Sequence, residues 1–276
     1  MSGQRLQDRV AIVTGSSQGI GREICNQFFV EGALLVCADL RPLGQGEDVA
    51  THEWIAQKGG KAIFVEVDVS KADSWRALIA KTVETYGKLD IEASNPQSID
   101  EVDEDTFDAH MRINARGVFL GSKYSVLQFL KQEPRANGMR GWIVNFASMV
   151  SNIGMQGLSK SSIQFSPPNP RSSRSTAGYT ASKGAVSAMT RTIALDVAKK
   201  GIVANSIAPG FSQTAMLDNA LGGALSEAAE GVKAAIPRGI FGHPLDHARA
   251  AVYLASDDAQ WVTGITLNVD GGLTAQ

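Results

Sequence analysis

Cysteine is nearly missing from this chain, with only Cys25 and Cys37 among 276 residues. One falls in an expected helix, the other in an expected strand, and their spacing fits no metal-ligand pattern. A disulfide framework and a zinc site are therefore excluded, and buried reduced thiols in a cytoplasmic setting are expected. An excess of charge of one sign is also missing. Lys plus Arg number 26 against 28 Asp plus Glu, for a formal net charge of -2. That leaves no basic footprint for nucleic acid or an anionic membrane. No apolar run is long enough to span a bilayer, and Met1–Arg9 is polar where a secretory signal would need an apolar core. Internal repeats and a linker that would divide the chain are absent too. What is present, 43% hydrophobic and 20% charged residues, suits an ordinary globular core.

The order of elements carries the fold. Arg9–Thr14 holds the apolar run Val10-Ala11-Ile12-Val13, as expected for a strand buried on both faces. It runs into Gly15-Ser16-Ser17-Gln18-Gly19-Ile20-Gly21, then a helix to about Glu31, then strand Ala33–Ala38 with Asp39 at its end. Glycines at a strand-to-helix turn let backbone approach a phosphate, and the helix start supplies unpaired N–H groups. An acid closing the second strand can accept from a ribose diol. Further helices are expected at Glu47–Lys58, Ala72–Tyr86, Thr106–Arg112, Ala115–Leu130 and Asp246–Ala255. Strands are expected at Ala62–Val67, Leu89–Ser94, Trp142–Ala147, Val203–Ala208 and Ile265–Val269. Seven strands alternating with helices predict one doubly wound, Rossmann-type parallel sheet, an α/β fold in a single domain spanning 1–276.

Two stretches break the rhythm. Ser151–Ala177 is rich in serine, with Pro167, Pro168 and Pro170 and the bases Lys160, Arg171 and Arg174. A connection this long inside a compact domain is functional or irregular. Its ends are pinned beside Ser148 and Tyr179, so it is expected to act as a flap over a substrate, an irregular surface excursion being the alternative. The acidic run Asp100, Glu101, Asp103, Glu104, Asp105 and Asp108 reads as a solvated helix start, not a metal site.

The stretch Gly178–Thr190 offers chemistry. Ala181, Ala185, Met189 and Ile193 recur every four residues and predict a helix with one apolar face. Tyr179 and Lys183 are also four apart and so share a side of that helix. An ammonium beside a phenol favours the phenolate, and each unit taken from a tyrosine pKa of ~10 corresponds to ~1.4 kcal/mol. A phenol tuned in this way can exchange a proton with a carbonyl or alcohol oxygen. The pair alone could equally be an ordinary surface contact.

Taken together, these pieces resemble the short-chain dehydrogenase/reductase family from Val10 to Gly272. The matching residues are Thr14-Gly15…Gly19-Ile20-Gly21, Asp68-Val69, Asn114, and Ser148 after Val144-Asn145-Phe146-Ala147. Tyr179…Lys183, Pro209-Gly210…Thr214, Thr263-Gly264 and Val269-Asp270-Gly271-Gly272 complete the set. The resemblance implies that Tyr179 exchanges the proton and that Lys183 lowers its pKa and holds the nicotinamide ribose. It implies that Ser148 bonds the substrate oxygen and that Asn114 supports a water leading to Lys183. For the cofactor it implies contacts from Gly15, Ser17, Gln18, Gly19, Ile20, Gly21, Asp39, Asp68, Val69 and Asn95. Tyr179, Lys183, Pro209, Gly210, Ser212 and Thr214 complete those contacts.

Where the family has Asn-Asn-Ala-Gly after its fourth strand, this chain has Ser94-Asn95-Pro96-Gln97, and the strand itself carries Glu92. The expected activity is interconversion of a secondary alcohol and a ketone with a nicotinamide cofactor and a small-molecule substrate. A non-redox enzyme (epimerase, dehydratase or cyclase) and a dinucleotide-binding regulator are the competing readings. Asp39 favours NAD over NADP, since neither Gln18 nor Leu40 is basic, although Arg41 lies nearby. By family analogy a homotetramer or a dimer is expected, built partly on helices Ala115–Leu130 and Tyr179–Lys199.

Overall fold

The computed structural model describes residues 4–94, 104–151, 177–214, 217 and 227–276. Its strands are β1 Val10–Thr14, β2 Leu34–Asp39, β3 Ala62–Glu66, β4 Ile91–Ser94, β5 Gly141–Phe146, β6 Ile202–Pro209 and β7 Thr266–Val269. They form one seven-stranded sheet in the order β3-β2-β1-β4-β5-β6-β7, and every pairing is parallel. The order reverses between β1 and β4, so the crevice outside the carboxyl ends of those two strands is where a ligand fits.

Alternate side chains of the strands feed two cores. Ala11 and Val13 of β1, Trp142, Val144 and Phe146 of β5, and Val203 and Ile207 of β6 face one side. There they meet Ile24, Cys25 and Phe28 of α1 (Gly19–Val30) and Ala248, Ala251 and Val252 of the last helix, Pro244–Leu254. Ile12, Ile143 and Ala204 face the other side. Their partners are Trp75 and Leu78 of α3 (Ala72–Tyr86), Leu120 and Phe129 of α5 (Gly117–Phe129), and Ala194 and Val197 of α6 (Ala177–Val197). Burial on both faces explains why β1, and β2 up to Ala38, read as continuous apolar runs rather than alternating ones. Arg9 is the exception at the base. Its guanidinium lies 4.0 Å over the Trp142 ring, bonds Ala255 O at 2.6 Å and pairs with Asp257 at 2.7 Å.

Several boundaries differ from the sequence expectation for identifiable reasons. Helix α2 is Thr51–Gln57 instead of starting at Glu47. The residues before it are used as a strap, in which Arg22 donates to Val49 O at 2.9 Å and Thr51 Oγ1 donates to Ser16 O at 2.7 Å. Strand β4 starts at Ile91, because the Gln132 side chain takes both backbone groups of Leu89, at 2.8 and 2.6 Å. Helix α4 (Glu104–His110) continues without a break into α5 through a π-helical turn, Met111–Arg116, where two separate helices were expected.

The apolar face of α6 is also corrected. Ala181 is exposed and Ala185, Met189 and Ile193 are half-buried, while Ser182, Lys183, Val186, Ser187, Thr190 and Ala194 form the buried stripe. Small polar residues serve there because the helix lies close on β5 and β6, and Thr190 accepts a bond from buried Asn145 at 2.9 Å. The later helices are α7 (Glu227–Ala235) and α8 (Pro244–Leu254).

Candidate active site

At the carboxyl end of β1 the chain turns into α1 through Gly15 and Gly19, both at positive φ of 64° and 56°. Only glycine takes that conformation without strain. A Cβ on Gly21 would sit 2.0 Å from Gly15 O, so the turn closes on the first helical residues without room for a methyl. The N–H groups of Gly19, Ile20 and Gly21 open α1 and lack intrahelical acceptors, which makes the turn a cradle for a phosphate.

The turn is braced from β2. Asp39 accepts from Ser17 N at 3.0 Å and from Leu40 N at 2.8 Å, and Ser17 Oγ donates to Arg41 O at 2.5 Å. Gln18 accepts from Gln45 N at 2.8 Å, and a Cβ on Gly44 would meet Ser17 O at 2.5 Å. Across the cleft, Thr214 Cγ2 comes within 3.9 Å of where a Cβ on Gly19 would lie.

The middle of the cleft is bounded by the β3 end. Asp68 accepts from Ser70 N and Oγ at 3.0 and 2.7 Å and pairs with Lys71 at 3.1 Å. Val69 lies against Gly117, where an added Cβ would be 3.2 Å from its Cγ2. Asn95, Pro96 and Gln97 lie outside the described residues, as do residues 152–176 of the expected flap Ser151–Ala177. Glu92 is fully buried in β4, in register with Ile12 and Ile143.

The expected catalytic residues come from three elements. Ser148 follows β5, Asn114 projects from the π-helical turn, and Tyr179 and Lys183 lie on the first turns of α6. The Ser148 hydroxyl bonds the Tyr179 phenol. Lys183 Nζ lies 5.7 Å from the centre of the Tyr179 ring and donates to Phe146 O at 2.9 Å. Asn114 Nδ2 donates to Ser182 Oγ at 3.0 Å, and Ser182 Oγ donates to Tyr179 O at 2.7 Å. Asn114 Oδ1 is buried with no hydrogen-bond partner among the described residues, a free acceptor aimed into the interior.

Electrostatics reverses the expectation for the phenol. Burial pushes the Tyr179 pKa up, and the Ser148 hydrogen bond only partly opposes it. Burial also lowers Lys183 to about 7. Sequence spacing counted the ammonium and could not count the dehydration of both groups. A lysine that gives up its proton near neutrality is correspondingly able to exchange one.

On the far side, β6 ends at Pro209, and Gly210 runs so close to β7 that a Cβ there would be 2.6 Å from Asp270 Cα. Ser212 turns its hydroxyl to buried His247 on α8, and burial holds His247 down at about 4. Thr214 Oγ1 bonds back to Ser212 O at 3.4 Å. Of the loop's expected cofactor residues, Thr214 therefore reaches the glycine turn while the Ser212 side chain points away from it. A cavity of about 300 Å³ bounded by Phe211, Arg238, Phe241, His247 and Asp270 lies on that far side rather than at Tyr179.

Residues 9–162 match the short chain dehydrogenase family model, more than half of the chain. The chain belongs to the short-chain dehydrogenase family. Residues 169–274 match a second model, described as enoyl-(acyl carrier protein) reductase. Glucose 1-dehydrogenase 2 of Bacillus subtilis is 34% identical over 98% of this chain and 96% of its own. A 2,5-dichloro-2,5-cyclohexadiene-1,4-diol dehydrogenase of Sphingobium indicum is 33% identical over 98% of both chains. Among solved structures, a candidate 2-deoxy-d-gluconate 3-dehydrogenase of Agrobacterium tumefaciens with bound NADP has a TM-score of 0.79 and 31% identity, over 100% of both chains. This family member is an oxidoreductase that interconverts an alcohol and a carbonyl with a nicotinamide cofactor.

Sequence reasoning missed two histidines. His110 lies on α4 with its ring 6.1 Å from that of Tyr179, and His247 holds Ser212. Each stands at a position that becomes buried, and a lone histidine on a helix gives no signal of which partner it will meet.

Proposed function

We propose that Tyr179 is the acid/base of the reaction, supported by Ser148, Lys183 and Asn114. The observation that carries this is that the Ser148 hydroxyl bonds the Tyr179 phenol and Lys183 Nζ lies 5.7 Å from its ring, while Asn114 reaches the same turn of α6 through Ser182. The cradle fits a dinucleotide, because the space that a Cβ on Gly21 would fill is taken by the turn itself. When bound, the nicotinamide supplies the hydride acceptor or donor.

For alcohol oxidation, the Tyr179 phenol passes its own proton to neutral Lys183, and Tyr179 Oη takes the substrate hydroxyl proton as the carbinol carbon gives up its hydride. The C–O bond then becomes a carbonyl, and reduction runs the same steps backwards. Ser148 Oγ donates to the same oxygen and stabilises the charge that develops there. Lys183 passes protons to and from Tyr179, and the free Asn114 Oδ1 accepts from a water on that path.

NAD is the dinucleotide that Asp39 supports. Its carboxylate stands at the end of β2 with both oxygens oriented by backbone N–H groups, ready to accept from the ribose hydroxyls. The Agrobacterium neighbour holds NADP, so both dinucleotides belong in the test. The whole chain acts as one unit in the cytoplasm.

A homotetramer through α5 and α6 is the proposed assembly. Phe119, Leu127 and Leu195 are 45%, 46% and 81% exposed there, beside the half-buried Met189 and Ile193. Light scattering after gel filtration should report four copies, and a monomer would reject this face as an interface.

The activity test is an absorbance scan at the reduced-nicotinamide band with a panel of secondary alcohols and ketones, run with NAD and NADP. Turnover faster with NAD supports the reading. Tight dinucleotide binding with no absorbance change on any substrate would instead favour the non-redox alternatives.

A further inference from the structure

Helix α4 meets α6 where the reacting tyrosine begins, and the contact is built for closeness. A Cβ on Gly178 would lie 3.2 Å from Phe107 Cδ2 and 3.3 Å from both Phe107 Cα and His110 Nδ1. The missing side chain lets α4 settle directly on the first turn of α6. His110 is brought 6.1 Å from Tyr179, ring centre to ring centre, at an interplanar angle of 72°. This edge-to-face arrangement is the favoured geometry for two rings. His110 is 3% exposed, whereas Phe107 beside it is 43% exposed. The same histidine is the last residue before the π-helical turn that presents Asn114. It therefore stands at the junction of the two elements that carry the tyrosine and the asparagine.

We propose that His110 is a positioning residue for Tyr179, its ring fixing the phenol against Ser148 and Lys183 and keeping water from that flank. This rests on the reading of Tyr179 as the acid/base. Rotation about χ1 would sweep the phenol oxygen through the cleft, and a rigid ring packed edge-on against the tyrosine ring limits that swing. Among the described residues, the ionisable groups facing the phenol are Lys183 from α6 and His110 from α4. Burial is the largest influence on the phenol's proton affinity, so removing a ring that excludes water should ease its ionisation. A packing role elsewhere in the core would have no such effect.

The test uses His110→Ala and His110→Phe in the full-length protein, with Tyr179→Phe as reference. Subtracting the phenolate absorbance of Tyr179→Phe isolates Tyr179 from the other tyrosines. This titration needs no substrate, so it reports on His110 even if the alcohol panel gives no turnover, an outcome that would count against the activity instead. For His110→Ala, the Tyr179 midpoint should fall towards the ordinary tyrosine value of ~10. The same variant should lose about tenfold in kcat, with KM and the dinucleotide Kd within about twofold of wild type. His110→Phe keeps a ring of similar shape and should restore kcat to within about threefold of wild type and the midpoint to within about 0.5 pH unit of it. An unchanged midpoint and kcat in His110→Ala would overturn the proposal. So would a His110→Phe variant as impaired as His110→Ala, or a loss of dinucleotide binding that matches the loss of kcat.

Discussion

Replacing Gly21 by alanine would place a methyl carbon 2.0 Å from Gly15 O, 2.7 Å from Gly15 C and 3.2 Å from Ser16 N. Non-bonded heavy atoms are comfortable at roughly 3.5 Å, so the turn has to move by about 1.5 Å. All three obstructing atoms are backbone, and no rotamer change relieves the clash. Overpacking of this kind costs about 1–3 kcal/mol, which lowers Tm by roughly 2–12 °C in a chain of this size. The same movement pulls the Gly19–Gly21 N–H groups away from a bound phosphate. Losing one hydrogen bond to a charged group costs about 1.5–3 kcal/mol, or roughly 10- to 150-fold in Kd.

Calorimetric titration with each dinucleotide gives Kd, and a thermal melt gives Tm. Gly184→Ala is the control. Nothing lies within 4 Å of its added Cβ, and it sits inside α6, so about 0.5–1 kcal/mol of stabilisation is expected. A Gly21→Ala protein that binds either dinucleotide and melts like wild type would refute the cradle.

Two further outcomes follow from the structure. Asp39→Ala removes the acceptor for Ser17 N as well as the ribose contact, so it should weaken NAD by about tenfold or more without raising NADP affinity above the wild-type level for NAD. Calorimetry with both ligands checks this, and a clean switch to NADP would show that the brace is dispensable. Lys183 is a base whose folded pKa of about 7 lies below its unfolded value of 10.5. The unfolded chain therefore binds more protons between those values, and this group's destabilisation, fully present below about pH 7, is relieved as pH rises towards 10.5. Lys183→Met should accordingly stabilise the fold more at pH 6 than at pH 10, by an amount on the order of a few kcal/mol, and denaturant melts at the two pH values that shift equally would contradict it.

The frame was legible because burial on both faces writes itself as apolar runs. Val10–Thr14 and Leu34–Asp39 needed no tertiary information, nor did α3, whose Gly87 stop at positive φ ends the helix as sequence reasoning expects. What failed was set by contacts distant in sequence. The side chain of Gln132 shortens β4, and the strap held by Arg22 delays α2. Periodicity cannot register a π-helical turn, so the chain between α4 and α5 read as a break.

The site was legible as residue types in order and illegible as energies. Tyr179 and Lys183 were placed on one side of α6 correctly, but the direction of the tyrosine shift depends on burial, which spacing does not encode. The stripe Ala181, Ala185, Met189 and Ile193 was read from spacing alone, which does not say which side of the helix meets the core. It stays half-open, and the core side is built from Ser182, Ser187 and Thr190.

The proposed chemistry turns on the phenol of Tyr179. Steady-state turnover of Tyr179→Phe, with dinucleotide saturating and Kd determined separately, removes one oxygen and keeps the ring that packs beside His110. Turnover should fall by at least about 10²-fold, as for a general acid/base, with Kd and Tm near wild type. Turnover within a few-fold of wild type would contradict that role.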